Sequence, residues 1–343
     1  MRYIIIGAGA VGGVIGGRLA ESGHDVVLVA RGSHLAALRE SGLRLTTPQG
    51  TRTLRLPTAA GPDDVELRPG DVLVLAVKTQ DSVAALDAWS ARPVAGGGTA
   101  GELLPVICAQ NGVENERLAL RRFRHVYAMC VYLPATFLDD GAVSAAGDPL
   151  TGVLHLGRYP AGTDDTARAV AADLEKSYFL APVVPDTMRW KYAKLLSNTA
   201  NSVGALCGAE GLATPAGRDL VARTVAEART VLAAAGIEAV GDAEAAEARN
   251  GRVVMARLES GGAGAGSSWQ SLARGTGSVE ADYLNGEVSL LGGLHGVPTP
   301  VNDTLCRLAN EFAGQRRAAG SMPAEEIARE VAAATAAAGA APA

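Results

Sequence analysis

A β-branched run, Tyr3-Ile4-Ile5-Ile6, leads directly into Gly7-Ala8-Gly9-Ala10-Val11-Gly12 and then a helix-like stretch through Leu19 and Ala20. A second apolar run, Val26-Val27-Leu28-Val29, follows His24-Asp25. Strand, glycine turn, helix and strand therefore fit within about 30 residues, the setting in which a G-x-G-x-x-G spacing acquires structural meaning. Gly7 permits the tight turn, Gly9 lets backbone approach a pyrophosphate, and Gly12 lets the helix pack close to the strand. The helix N-terminus offers unpaired N–H groups and a positive dipole end to phosphates. The chain is thus expected to begin as a dinucleotide-binding α/β unit. The alternative is a glycine turn that binds nothing.

The residues after the second strand bear on which dinucleotide. An NAD-preferring fold usually carries Asp or Glu there for the ribose hydroxyls. This chain reads Ala30-Arg31-Gly32-Ser33-His34, with no acid until Glu40. Arg31 stands where a guanidinium can grip a 2′-phosphate, which favours NADP(H) over NAD(H). Two further buried strands are expected at 71–77 and 105–109, running into Lys78 and into Gln110-Asn111-Gly112. Ligands of open α/β sheets bind at the carboxyl ends of the strands, so Lys78 and Asn111 belong to the same rim as Gly7–Gly12. A surface lysine and an ordinary Asn-Gly turn remain the bland alternatives. Segments 126–133 and 153–156 read as later strands, and Gly96–Gly101 as a surface loop.

From about 187 the alternation stops and Ala/Leu/Val-rich helical patterns begin. The first, from Met188 to about Cys207, places Lys191, Lys194, Asn198 and Asn201 on one narrow stripe. A thin polar seam in a largely apolar helix needs partners; a wet cleft is one explanation and a solvated stripe the other. Further helices are expected from Thr214-Pro215 to Ala235, over 242–258, from Ser278 to Leu294, and from Pro300 to Ala313. On the third of these Glu280 and Glu287 would share a face. The glycine-rich run 260–266, beside Ser267-Ser268, reads as a lid or a plain linker. The tail from Ser321 reads as a short fraying helix. With 343 residues, more than one hydrophobic core is expected. The division read here is 1–186, 187–320 and an Ala-rich 321–343.

Charge and cysteine content narrow the function. A net charge of -5 and one short basic run at Arg121–His125 give no nucleic-acid footprint. No apolar run is long enough for a membrane span. The start lacks a signal-peptide pattern. Four scattered cysteines and five scattered histidines offer no metal-ligand spacing and fit a reducing, cytoplasmic setting.

Taken in order, the glycine turn, Val77-Lys78, Gln110-Asn111-Gly112, Lys194-Leu195-Leu196-Ser197-Asn198 and Val279-Glu280-Ala281-Asp282-Tyr283-Leu284-Asn285-Gly286 resemble the ketopantoate reductase family over about residues 1–312. The resemblance implies an N-terminal Rossmann-type parallel-sheet domain, an all-helical C-terminal domain and a cleft between them. It implies NADPH-dependent reduction of a 2-oxo acid to a 2-hydroxy acid, with ketopantoate to pantoate as the leading case. Lys194 would be the general acid and Glu280 would hold the substrate and the lysine. Gly7, Gly9, Gly12, Arg31, Lys78 and Asn111 would bind NADP(H). Asn198, Asn201 and either Ser267 or Ser268 would contact substrate. Where the family often has a second Asn eight residues after the lysine, this chain has Ser202. That departure and the glycine-rich loop leave room for a different oxo or imino acid. A non-catalytic NADP(H) sensor is the alternative of another class. The expected partner is a small 2-oxo acid, with neither nucleic acid nor membrane, and a homodimer is compatible with this reading.

Overall fold

The computed structural model describes residues 1–249, 251–258 and 266–340. They form two compact units: Met1–Lys191 with Val240–Gly262, and Tyr192–Ala239 with Ala263–Ala343. The first unit therefore reclaims the segment after Val240, which the sequence pattern assigned to the helical half.

In the first unit, β1 (Arg2–Ile6), α1 (Ala10–Glu21) and β2 (Asp25–Val29) realise the expected strand–turn–helix–strand. After α2 (Gly32–Ser41) come β3 (Leu43–Thr47), β4 (Gly50–Leu54), β5 (Thr58–Ala59) and β6 (Asp71–Leu75). Next are α3 (Ser82–Ser90), the short α4 (Ala100–Leu103), β7 (Pro105–Cys108), α5 (Asn115–Leu120) and β8 (His125–Tyr132). Strands β9 (Ala135–Thr136), β10 (Ala142–Ala145), β11 (Gly147–Pro149) and β12 (Gly152–Arg158) precede α6 (Asp165–Lys176) and β13 (Phe179–Leu180). The main sheet runs β13-β12-β8-β7-β6-β1-β2-β5 and is parallel apart from the β8–β12 pair. Strand order reverses between β1 and β6, so the carboxyl ends of these two strands form the crevice where ligands of such sheets bind.

Residues of β1 alternate between the two faces of this sheet. Tyr3 and Ile5 join one buried cluster, Ile4 and Ile6 the other. A smaller sheet, β4-β3-β10-β9, packs on the far side of α1. This explains the glycines inside that helix. A Cβ on Gly16 would lie 2.8 Å from Leu28 of the main sheet, and one on Gly13 would lie 2.9 Å from Val143 of the smaller sheet. The helix is thin enough to sit between two sheets.

Helix α7 (Thr187–Thr199) begins in the first unit and continues into the second. There follow α8 (Asn201–Ala213), α9 (Pro215–Ala234) and then α10 (Asp242–Arg249) with β14 (Val253–Met255). The sequence pattern predicts one helix over 242–258. Instead β14 pairs antiparallel with β11, a non-local contact that returns the segment to the first unit.

Helices α11 (Gly266–Ala273), α12 (Asn285–His295), α13 (Pro300–Gly314) and α14 (Ala324–Ala340) complete the second unit. Pro215 sits at the start of α9, and the Thr214 hydroxyl accepts from Gly217 N–H at 3.0 Å, as the Thr-Pro signal predicts. The tail does not simply fray: Met322, Ala324, Ile327 and Val331 are buried with Leu305 and Phe312 in this unit's core.

Candidate active site

At the switch point, the glycine turn lies against the backbone leaving β6. Gly7 has φ of 103°, and a Cβ there would be 2.7 Å from Val77 N. At Gly12 a Cβ would fall 2.1 Å from the Gly7 carbonyl. Both positions are closed to any larger residue. Gly9 differs: its φ is -74°, and a Cβ there would meet only Phe137, at 3.8 Å. Gly9 caps α1 without a side-chain hydrogen bond, and the first turn holds no acid. No cap side chain among the described residues closes the leading N–H groups of α1, and the helix dipole favours an anion there. Glycines, bare backbone and an uncapped helix fit a dinucleotide pyrophosphate.

His34, in the first turn of α2, secures this turn from behind. Its Nδ1 accepts from Gly141 N–H at 3.0 Å, so Nε2 carries the proton and donates to the Ala8 carbonyl at 2.8 Å.

Lys78 is half-buried three residues beyond Leu75, where β6 ends, and Asn111 is half-buried three residues beyond Cys108, where β7 ends. A buried amide–hydroxyl chain joins their loops. Gln110 Nε2 donates to Val77 O and to Ser82 Oγ, both at 2.8 Å. Ser82 Oγ donates to Asn115 Oδ1 at 2.7 Å, and Asn115 Nδ2 donates to Thr79 Oγ1 at 3.0 Å. Arg31 stands just past β2 with its guanidinium 74% exposed and 3.8 Å from the Asp81 carboxylate.

The polar stripe on α7 does not share one environment. Lys191, 2% exposed, forms a buried ion pair with Glu116 of α5 and donates to the Gln110 carbonyl at 3.1 Å. Burial pushes the Glu116 carboxyl above the ordinary carboxylate range, and the Lys191 ammonium opposes that rise. Nothing local in the sequence links positions 116 and 191, so this pairing is visible only in the fold.

In the second unit, Lys194 is half-buried on α7. Asn198, one turn further on, is 5% exposed, and its Nδ2 has no hydrogen-bond partner among the described residues. The expected single helix breaks after Thr199, so Asn201 opens α8. Its Nδ2 donates to Ser267 Oγ at 3.4 Å. A Cβ on Gly266 would lie 2.8 Å from Asn201 Oδ1, so glycine lets α11 start against this amide.

The two serines separate cleanly. Ser267 is half-buried and partnered by Asn201, whereas Ser268 is 3% exposed and its Oγ has no partner among the described residues. A buried donor left unpaired is costly unless something else completes it. Ser202 is already committed: its hydroxyl donates to Asn285 Oδ1 at 2.6 Å, and Asn285 Nδ2 donates to Asn302 Oδ1 at 2.9 Å. Asn302 in turn donates to Glu227, whose carboxylate also accepts from the N–H groups of Val301 and Asn302 at the start of α13.

Glu280 is half-buried but not helical. It precedes a single 3-10 turn, Ala281–Tyr283, and α12 begins only at Asn285. The helical-face comparison of Glu280 with Glu287 therefore does not apply. Most of the loop expected to act as lid or linker, 259–265, lies outside the described residues. Among the described residues no group of three His, Cys, Asp or Glu side chains could hold a metal, and no helix is long and apolar enough to cross a membrane.

A Rossmann-type α/β unit is thus followed by a helical unit that carries Lys194 and, among the described residues, a buried amide and a buried hydroxyl without hydrogen-bond partners. The family models of ketopantoate reductase PanE/ApbA and of its C-terminal part match residues 3–161 and 186–313. The chain belongs to the ketopantoate reductase family, whose cofactor is NADPH. It is 31% identical to a 2-dehydropantoate 2-reductase of Archaeoglobus fulgidus, over 90% of this chain and 96% of that one. Similarity to the Pyrococcus horikoshii 2-dehydropantoate 2-reductase, at 28% identity, spans 60% of this chain and 64% of the relative. The crystal structure of a PanE/ApbA family ketopantoate reductase from Ralstonia eutropha superposes with a TM-score of 0.75 at 27% identity, covering 92% of this chain and all of that one.

Proposed function

We propose that the protein reduces ketopantoate, or a close 2-oxo acid, to the 2-hydroxy acid with NADPH. Gly7, Gly9 and Gly12 would hold the pyrophosphate, Arg31 the 2′-phosphate, and Lys78 and Asn111 the cofactor along the strand ends. When bound, NADPH supplies the hydride that adds to C2 of the oxo acid. Lys194 Nζ donates a hydrogen bond to the ketone oxygen and delivers a proton to the alkoxide as it forms, so one hydride and one proton complete the alcohol. Glu280 positions the lysine and the new hydroxyl. Asn198 Nδ2 and Ser268 Oγ donate to the substrate, the serine serving its carboxylate, and Asn201 reaches it beside Ser267.

One observation carries this reading: Asn198, one helical turn from Lys194, keeps a buried N–H group unsatisfied, as does the Ser268 hydroxyl. Donors of this kind are what an oxo acid needs from a protein and what a folded core normally does not leave behind. Free cysteines among the described residues accord with a cytoplasmic enzyme.

The test is NADPH oxidation with ketopantoate, a panel of 2-oxo acids and a panel of imino acids. Turnover with ketopantoate or a branched 2-oxo acid is the expected result. Tight NADPH binding without turnover on any substrate would favour a sensor, and turnover restricted to imino acids would reassign the substrate class.

A further inference from the structure

The corner where Arg31 stands has a second charged group that the sequence pattern does not reveal. No acid follows β2 in the usual place for ribose recognition; the stretch 30–39 contains none. Asp81, from the turn after β6, brings its carboxylate to 3.8 Å from the Arg31 guanidinium. Strand β6 pairs with β1 on the side away from β2, so this acid reaches the corner from the opposite side of the switch point. Asp81 precedes α3 but makes no side-chain cap bond to it, so the carboxylate is not consumed by the helix. It is 48% exposed and Arg31 74% exposed, which leaves both open to a ligand.

We propose that Asp81 is a cofactor-selectivity residue that holds back NADPH preference and keeps the site open to NADH. The inference rests on Arg31 facing the adenosine ribose. A 2′-phosphate must take the guanidinium away from Asp81 and then sit beside a carboxylate of the same sign. A 2′-hydroxyl meets neither obstacle: it donates to Asp81 while Arg31 stays neutralised. The acid that NAD-binding folds carry after β2 is thus supplied here from β6. Because the pair is exposed, the effect is moderate. Charges at about 4 Å in water interact by about 1 kcal/mol, roughly a fivefold change in affinity ratio.

The test compares Asp81→Asn, Asp81→Ser and Arg31→Ala with the parent protein. Dissociation constants for NADP⁺ and NAD⁺ are measured without substrate, at low and at high salt. Both Asp81 variants keep a side chain able to cap α3. They are expected to raise the NADP⁺-over-NAD⁺ preference about fivefold, by tighter NADP⁺ and weaker NAD⁺ binding, with the gain shrinking as salt rises. An unchanged ratio in both Asp81 variants, while Arg31→Ala still weakens NADP⁺ selectively, overturns the proposal and spares the placement of Arg31. If Arg31→Ala weakens both cofactors equally, the placement of Arg31 fails and the proposal with it. Because binding is read without turnover, the identity of the oxo acid has no influence on the outcome.

Discussion

The buried pair Lys191–Glu116 offers the sharpest test of how the first unit is held together. Glu116 is fully buried and Lys191 is 2% exposed. The ammonium is shared between the carboxylate and the Gln110 carbonyl, while Glu116 Oε2 has no further donor. Replacing Lys191 with Met keeps the bulk and removes the charge. The Glu116 carboxyl is then left without its counter-charge, and breaking a buried pair from one side costs about 3–5 kcal/mol. For a unit of this size that corresponds to a fall of roughly 10 °C in its unfolding midpoint.

The pH dependence follows from the carboxyl. Burial already pushes Glu116 upward, and without Lys191 nothing opposes that. A carboxyl whose folded pKa lies above its unfolded value loses stability as pH rises between the two. The Lys191→Met penalty is therefore largest at neutral and alkaline pH and relaxes as pH falls toward 5. The double variant Lys191→Met, Glu116→Leu should recover most of the loss, since an apolar pair of similar volume is often neutral or better. Because the chain has two units, the measurement is hydrogen exchange of β7 and α5 amides alongside thermal unfolding, across pH 5–8. A single-variant loss below about 1 kcal/mol at neutral pH, or one that does not shrink on acidification, would refute the reasoning.

Three other outcomes are expected. His155 is buried, neither ring nitrogen has a hydrogen-bond partner among the described residues, and the ring stacks on Trp190 at 3.6 Å; burial, and secondarily Arg249, lower its pKa from 6.5 to about 4. A base with a depressed folded pKa costs stability as pH falls from 6.5 to 4, by about 3 kcal/mol in all, so His155→Phe should flatten the acid limb of stability measured by denaturant titration; an unchanged limb counts against it. Gly12→Ala should abolish NADPH binding and destabilise the fold, because its Cβ would fall 2.1 Å from a carbonyl, whereas Gly293→Ala, within α12 and with nothing nearby, should stabilise by about 0.5–1 kcal/mol. Lys194→Ala should cut turnover severely with little change in NADPH affinity, and an unaffected rate would remove Lys194 from the chemistry.

Much of the first unit was legible because its signals are local. A β-branched run before G-x-G-x-x-G gave β1, α1 and β2, and apolar runs ending at Lys78 and Gln110-Asn111 gave β6 and β7 with their polar ends at the rim. What escaped was non-local. The pairing of β14 with β11 puts a three-residue strand of the first unit near the end of an expected helix. The second sheet against α1 explains Gly13 and Gly17, whose lack of side chains the sequence displayed without showing what filled the space. In the tail, periodicity gave a helix but not the core that Ile327 and Val331 complete.

The α7 stripe shows why direction alone does not assign chemistry. Lys191 and Lys194 are three residues apart and both follow the same seam, yet the first is spent in an ion pair with a residue 75 positions earlier. Helical periodicity fixes which side chains point the same way, not what they meet. Hydrogen-bond completeness adds the missing distinction. Ser202 and Asn285 close a network with Asn302 and Glu227, so their polar groups have structural work already. Asn198 and Ser268 do not close any, although both are nearly as buried. Buried polar groups left open ask for a cause, and for Asn198 and Ser268 a bound ligand supplies one.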